Sequence, residues 1–257
     1  MKNYFDLTGQ VAVVTGASAG LGLQMAKAFA RQGANLVLLA RRKNLLDENA
    51  KAIAEEFGVE VFPVQCDITV TEQVVKAVDS IMERFGRIDI LVNNAGTGAV
   101  APATEITDEQ FKHEFNIDLF GTFVCAREFG KKMIEAGYGR IINIASIYGL
   151  VGNMIVGSSP YHAAKGGVVN LTRALAAEWG KYGITVNCIC PGYFKTDINA
   201  YMFENEKWVQ GICKATAVGH VCELDEITAP IVWLAGDHSG STTGAYILMD
   251  GGTTTFI

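Results

Sequence analysis

Charge and proline are both scarce in this chain of 257 residues: Asp, Glu, Lys and Arg together make up 19%, and proline occurs five times. So little charge excludes a self-repelling disordered chain, and so little proline excludes polyproline or collagen-like designs. Positive charge is not in excess either, since 21 Lys and Arg stand against 27 Asp and Glu. The net charge of −6 gives no general attraction to phosphate backbones or anionic lipid, so neither nucleic acid nor membrane is expected as a partner. Uninterrupted apolar runs are missing as well. The first ten residues hold no apolar core, and Val11–Ala30 is broken by Thr15, Gly16, Ser18, Gly20, Gly22, Gln24 and Lys27. The expectation is a protein that neither spans a membrane nor is exported, and that works in the cytoplasm. Its six cysteines, Cys66, Cys125, Cys188, Cys190, Cys213 and Cys222, follow no CxxC spacing, which fits reduced, mostly buried thiols. Cys213, His220 and Cys222 could be drawn as ligands, but no HxxxH or CxxC pattern supports them, and no metal is expected.

What is abundant is glycine, at 28 residues, and apolar side chains, at 49%. Short apolar runs recur at Val11 (VAVV), Asn35 (NLVLL), Val59 (VEVFPVQC), Ile88 (IDILVN), Arg140 (RIINIAS), Ile184 (ITVNCIC) and Tyr246 (YILMD). Runs apolar on both faces read as strands covered by helices on both sides. Helical spacing fills the intervals, roughly 20–32, 45–57, 72–85, 108–135, 161–181 and 225–234. Thr69 with Glu72 and Thr107 with Gln110 both fit a capping box, in which two side chains satisfy orphan amides at a helix start. Strand followed by helix, repeated without internal repeat or linker, predicts one α/β domain: a doubly wound parallel sheet with ligand at the carboxyl ends of its strands. Residues 193–217 break the rhythm with Tyr193, Phe194, Tyr201, Met202, Phe203 and Trp208 among charges, which suits a substrate lid.

Three groups of residues bear on chemistry. After the first strand comes TGASAGLG, with Gly16, Gly20 and Gly22 ahead of a helix, where free amides and the positive end of the helix dipole suit a pyrophosphate. The spacing Gly-x3-Gly-x-Gly departs from GxGxxG, and a tight strand-to-helix connection is the plainer reading. At the end of the second strand stand Ala40, Arg41 and Arg42, where an acid would repel a 2′-phosphate and an Arg pair would hold one. That favours NADP(H) over NAD(H), although two solvated arginines at a helix entrance would look the same. Asp67, after the third strand, either accepts a bond from an adenine amino group or caps the turn before Thr69. The third group is Tyr161-His-Ala-Ala-Lys165 with Ser146 upstream. Residues four apart on a helix share a face, so the Lys165 ammonium can lower a phenol pKa that is about three units, or roughly 4 kcal/mol, too high for a base at neutral pH. His162, about 100° round the helix from Tyr161, reads as a packing or interface residue.

TGASAGLG, Asn93-Asn94-Ala95-Gly96, Asn116, Ser146, Tyr161-x3-Lys165 and Pro191-Gly192 occur in an order and spacing that resembles the short-chain dehydrogenase/reductase family, from about Leu7 to Gly252. The resemblance implies a seven-stranded single-domain Rossmann fold and a catalytic tetrad of Asn116, Ser146, Tyr161 and Lys165. It implies a nicotinamide dinucleotide bound by Gly16, Ser18, Gly20, Leu21, Gly22, Arg41, Arg42 and Asp67. Asn94, Ala95 and Gly96 would flank its ribose, Pro191, Gly192 and Thr196 its nicotinamide end, and Tyr161 and Lys165 would reach it as well. By the same resemblance Lys165 bonds the nicotinamide ribose, Asn116 holds a relay water behind Lys165, and tetramers form on the two long helices, 108–135 and 161–181. A mean hydropathy of +0.22 agrees with surface buried between subunits.

The implied activity is NADP(H)-dependent interconversion of a secondary alcohol and a ketone by hydride transfer. PGYFKTD and the overall spacing resemble members acting on sugar acids and polyols, of the gluconate 5-dehydrogenase kind. Hydroxysteroid dehydrogenases and 3-oxoacyl-carrier-protein reductases share most of these features. Fourteen residues separate Ser146 from Tyr161 where about twelve are usual, which loosens the substrate analogy rather than the chemistry. A non-catalytic nucleotide sensor on this fold could dispense with Tyr161, Lys165 or Ser146, yet all three are present.

Overall fold

The seven apolar runs become seven strands of one parallel sheet: β1 Val11–Thr15, β2 Asn35–Ala40, β3 Val61–Gln65, β4 Ile90–Asn93, β5 Gly139–Ile144, β6 Ile184–Pro191 and β7 Tyr246–Met249. The computed structural model describes residues 3–98, 100–152, 157–196 and 199–255. Strand order is β3-β2-β1-β4-β5-β6-β7. The chain turns back between β3 and β4, so β1 and β4 become neighbours and open the crevice in which such sheets bind ligands.

Helices cover both faces because successive apolar residues of a strand point to opposite sides of the sheet. In β1, Ala12 and Val14 face α1 (Gly20–Arg31), α2 (Lys43–Phe57) and α8 (Thr228–Ala235), joining Met25, Phe29, Ile53 and Ile231 in one core. Val11 and Val13 face α3 (Thr71–Phe85), α5 (Thr122–Ala136) and α6 (Ser159–Trp179), joining Ile81, Phe129 and Leu175 in the other. Phe29 and Phe129 are fully buried, one in each core, and truncation of either to Ala should cost about 3–5 kcal/mol. Among the described residues no helix is long and apolar enough to cross a membrane.

The single helix expected over 108–135 is α4 (Asp108–Phe115), a π-helical segment Asn116–Gly121 and α5 in direct succession. The Thr107–Gln110 capping box is present: the Gln110 amide donates to Thr107 Oγ1 at 3.2 Å, and the Thr107 amide to Gln110 Oε1 at 2.8 Å. The Thr69–Glu72 box is not. Asp67 Oδ1 accepts from both the amide and the hydroxyl of Thr69, at 3.0 and 2.7 Å, and α3 starts only at Thr71. The hydroxyl is thus engaged upstream of the helix it was expected to cap. Residues 193–217 contain a short helix, α7 (Glu206–Lys214), whose first amides at Lys207 and Trp208 are capped by Asn205 Oδ1. Residues 197 and 198 of that stretch, and 153–156 of the interval before Tyr161, lie outside the described residues.

Candidate active site

TGASAGLG, Arg41-Arg42, Asp67, NNAG, Ser146 and Pro191-Gly192 lie at the carboxyl edge of the sheet because each stands at or just beyond the end of a strand, and Tyr161 and Lys165 open the helix that follows β5. The turn after β1 holds Gly16 and Gly20 at φ +67° and +57°, where a Cβ would be strained. A Cβ at Gly22 would sit 2.5 Å from both Asn94 Nδ2 and the Gly16 carbonyl oxygen, so that glycine serves contact with the β4 loop. Asn94 in turn donates from its amide to Thr15 Oγ1 and from Nδ2 to the Thr15 carbonyl, both at 2.9 Å. The Ala95 amide donates to the same Thr15 hydroxyl at 3.0 Å. Asn93 Nδ2 donates to Asn143 Oδ1 at 2.9 Å, so the NNAG segment ties β1, β4 and β5 together.

The cradle fits a dinucleotide. Ala19 stands at the N-cap of α1 and gives it no side-chain cap, which leaves the first amides of the helix for an anion. Arg42 bends back across the turn and donates to Ser18 Oγ through Nε and Nη2, at 3.2 and 2.7 Å. Arg41 is exposed, and its carbonyl accepts from Gln65 Nε2. Burial pushes the Asp67 carboxyl up, but its Thr69 hydrogen bonds and the nearby Arg41 and His113 hold it below the usual range. Asp67 therefore organises its own turn. Gly192 follows Pro191 at the end of β6, and its amide donates to the Met249 carbonyl at 2.9 Å. Thr196 faces Gly20 across the cradle, with its hydroxyl donating to Asn199 Oδ1 at 3.0 Å.

Tyr161 and Lys165 lie in the first turns of α6, and Ser146 lies just beyond β5. Lys165 is buried. Its Nζ donates to the Ile144 carbonyl at 3.0 Å and sits 5.4 Å from the centre of the Tyr161 ring. Ser146 Oγ accepts from the Tyr148 amide at 3.2 Å and is hydrogen-bonded with the Tyr161 phenol. The fourth expected member is elsewhere: Asn116 is exposed, and the side chain that meets Lys165 is Asp118, with Oδ1 3.0 Å from Nζ. Asn116 and Asp118 are two residues apart in the π segment, so they point in opposite directions, and packing against α6 selects Asp118. Its signal in the sequence was one carboxylate among Ile117, Leu119 and Phe120.

The electrostatics also depart from expectation. Burial pushes the Tyr161 phenol up; Lys165 and the Ser146 hydrogen bond pull it down, while Asp118 and Glu114 add to the rise, and the net shift is upward. Burial works against the Lys165 ammonium, yet Asp118 and Tyr161 overcome it and hold its pKa above the ordinary lysine value. In this cluster the lysine stays charged and the phenol keeps its proton at neutral pH.

Beside Tyr161 opens a cavity of about 200 Å³, lined among others by Ser146, Tyr148, Tyr193, Met202 and Trp208. The hydroxyls of Tyr148 and Tyr193 are 2.9 Å apart, and Tyr193 meets Trp208 edge-on. His162 stacks on Tyr148 at 4.5 Å, and its Nδ1 lies 2.8 Å from the Ser158 carbonyl, a packing role. Among the described residues no three His, Cys, Asp or Glu side chains gather as a metal site. His220 Nδ1 instead faces the Val221 carbonyl.

Known proteins resemble this chain in sequence and in fold. Residues 10–207 match the family model described as short chain dehydrogenase. Gluconate 5-dehydrogenase of Gluconobacter oxydans is 34% identical, over 97% of this chain and 96% of its own length. Galactitol 2-dehydrogenase (L-tagatose-forming) of Cereibacter sphaeroides is 36% identical, over 98% of each chain. The crystal structure of a gluconate 5-dehydrogenase from Burkholderia cenocepacia, in complex with NADP and tartrate, superposes with a TM-score of 0.94 at 33% identity, over 99% of this chain and 98% of that one. With a matching family model over most of its length and relatives of this similarity, the chain belongs to the short-chain dehydrogenase/reductase family of oxidoreductases.

Proposed function

We propose that this protein is a cytoplasmic NADP(H)-dependent oxidoreductase that interconverts a secondary alcohol and a ketone, with a neutral polyol and its ketose as substrates. The observation that carries the reading is Tyr161, paired with charged Lys165 and hydrogen-bonded to Ser146, at the wall of a cavity beside the dinucleotide cradle. Bound in that cradle, the nicotinamide supplies or accepts the hydride. Tyr161 is protonated at neutral pH and donates its proton to the oxygen on which charge develops in ketone reduction; in alcohol oxidation it takes that proton back. Ser146 hydrogen-bonds the same oxygen, and Lys165 stabilises the phenolate left behind.

Arg42 supports the choice of NADP(H). Its guanidinium is held over the Gly-rich turn by Ser18, where the pair can grip a 2′-phosphate, with Arg41 as a second cation nearby. Relatives acting on gluconate and galactitol support a sugar-derived substrate. The described lining of the cavity supports the polyol over the sugar acid, since it has tyrosine hydroxyls and Ser158 but no Lys, Arg or His to pair with a carboxylate. Residues 193–217 act as its lid, with Trp208 and Met202 closing the cavity over substrate.

Assembly is proposed to be a homotetramer. Phe111 and Phe120, on the long helical run 108–136, are 40% and 44% exposed, and Tyr246 on edge strand β7 is 44% exposed, so two separate faces carry apolar surface for a second copy. A panel of polyols, ketoses, sugar acids and apolar ketones, assayed with both cofactors, tests the reading. Turnover strongest with NADP(H) and a neutral polyol or ketose is expected; preference for gluconate overturns the substrate, and no turnover on any member overturns the activity.

A further inference from the structure

Asp118 is sealed inside the site. Its side chain is 0% exposed, and Oδ1 lies 3.0 Å from Lys165 Nζ. The Thr97 amide donates to the carboxylate at 3.3 and 3.4 Å, and the Thr122 hydroxyl donates to the Asp118 carbonyl at 2.9 Å. Gly96 makes room for it, because a Cβ there would stand 2.5 Å from Oδ1 and 3.4 Å from Lys165 Nζ. The charged or titratable groups around the pair come from three elements. Lys165 and Tyr161 belong to α6, Glu114 belongs to α4, and the Cys190 thiol on β6 lies on the Lys165 side.

Building on the proton-transfer reading of Tyr161, we propose that Asp118 is a positioning residue whose buried carboxylate fixes Lys165 and offsets its charge, so that the Tyr161–Lys165 pair keeps its protons to higher pH. The argument is a count of charge. With Asp118 ionised, the trio Asp118, Lys165 and Tyr161 is neutral, and losing a proton leaves a buried negative charge. With a neutral residue in its place the trio starts as a cation, and losing a proton leaves it neutral. Proton loss is then easier whichever of the two partners gives it up. Glu114 contributes equally to both cases. The upward direction of both the Tyr161 and the Lys165 pKa agrees with this count. A neighbouring opposite charge moves a pKa by about one to three units, and its removal should shift the pair by about as much.

The test is Asp118→Asn, which keeps the shape and removes the charge. Two readouts are compared with wild type: the pH profile of ketone reduction by the holoenzyme, and the near-ultraviolet tyrosinate signal of the cofactor-free protein, each taken relative to the same chain with Tyr161→Phe. The alkaline limb of reduction, the onset of tyrosinate, or both should move to lower pH by about one to three units. If Asp118 served only to hold the fold, the rate would fall at every pH with both midpoints unmoved, and that result, or an alkaline shift, overturns the inference. Should Asp118→Asn not fold, Asp118→Ser, smaller and equally uncharged, should give the same acidward shift. Absence of wild-type turnover would refute the proton-transfer reading, while the tyrosinate titration would still decide the role of Asp118.

Discussion

Two clusters of basic side chains stand at the carboxyl edge of the sheet, and water separates their behaviour. Lys165 is 5% exposed and pairs with a fully buried Asp118, whereas Arg42 is exposed and is held by the neutral hydroxyl of Ser18. In the sealed cluster each charge shifts the pKa of its neighbours, as Asp118 raises those of Lys165 and Tyr161. In the open cluster the charge is hydrated before and after an anion arrives, so it can only grade one ligand against another. One end of the site is sealed from water and the other is open to it.

The sharpest way to break this contrast is to remove the group on which the sealed cluster acts. Tyr161→Phe should lower turnover about 10²–10⁴-fold while cofactor affinity, measured by fluorescence titration, stays within about twofold. Wild-type turnover in that variant would place the proton step elsewhere. Next in size is Lys165→Met, which leaves Asp118 buried beside an apolar chain; urea unfolding should show a loss of about 3–5 kcal/mol. A loss below about 1 kcal/mol would mean that water reaches the pair and that it is not sealed.

The open cluster should respond more weakly. Arg42→Ala removes two hydrogen bonds to Ser18 and one cation, and should weaken NADP(H) about tenfold to a hundredfold with NAD(H) nearly unchanged. Arg41→Ala should do less, since among the described residues no side-chain hydrogen bond holds the Arg41 guanidinium over the turn as Ser18 holds Arg42, and equal effects would show that both arginines grip the phosphate. Ala40→Asp combined with Arg41→Ile adds repulsion at the end of β2 and should move the preference toward NAD(H). The smallest expected effect is that of salt: raising it from 50 to about 500 mM should weaken NADP(H) by less than about tenfold relative to NAD(H). Under the same change the alkaline limb of ketone reduction should stay in place.

Much of this was legible in the chain. The strands could be read because both faces of the sheet are covered, so runs such as Val11–Val14 and Ile90–Val92 are apolar throughout. Tyr161, Lys165 and Ser146 could be read because helical spacing and the end of a strand fix where their side chains start. Neighbouring choices could not be read the same way. Thr69 fits a helix cap by spacing, but Asp67 captures its hydroxyl first. Arg41 and Arg42 are chemically identical, yet only Arg42 folds back onto Ser18.

Sequence by itself therefore determined the layering, the order of the singled-out segments along the chain and the pairing of Tyr161 with Lys165, because each depends on local period and on residue type. Tertiary structure alone decided which carboxylate or amide stands behind Lys165. Asn116 and Asp118 lie on opposite sides of one helical segment, and a π turn re-aims both, so only the packing of that segment against α6 brings Asp118 within 3.0 Å of the ammonium. The direction of the Tyr161 shift was decided there too. It is set by a sum over burial, Lys165, Asp118, the Ser146 hydrogen bond and Glu114, and four of those five contributions come from places the chain reaches only by folding.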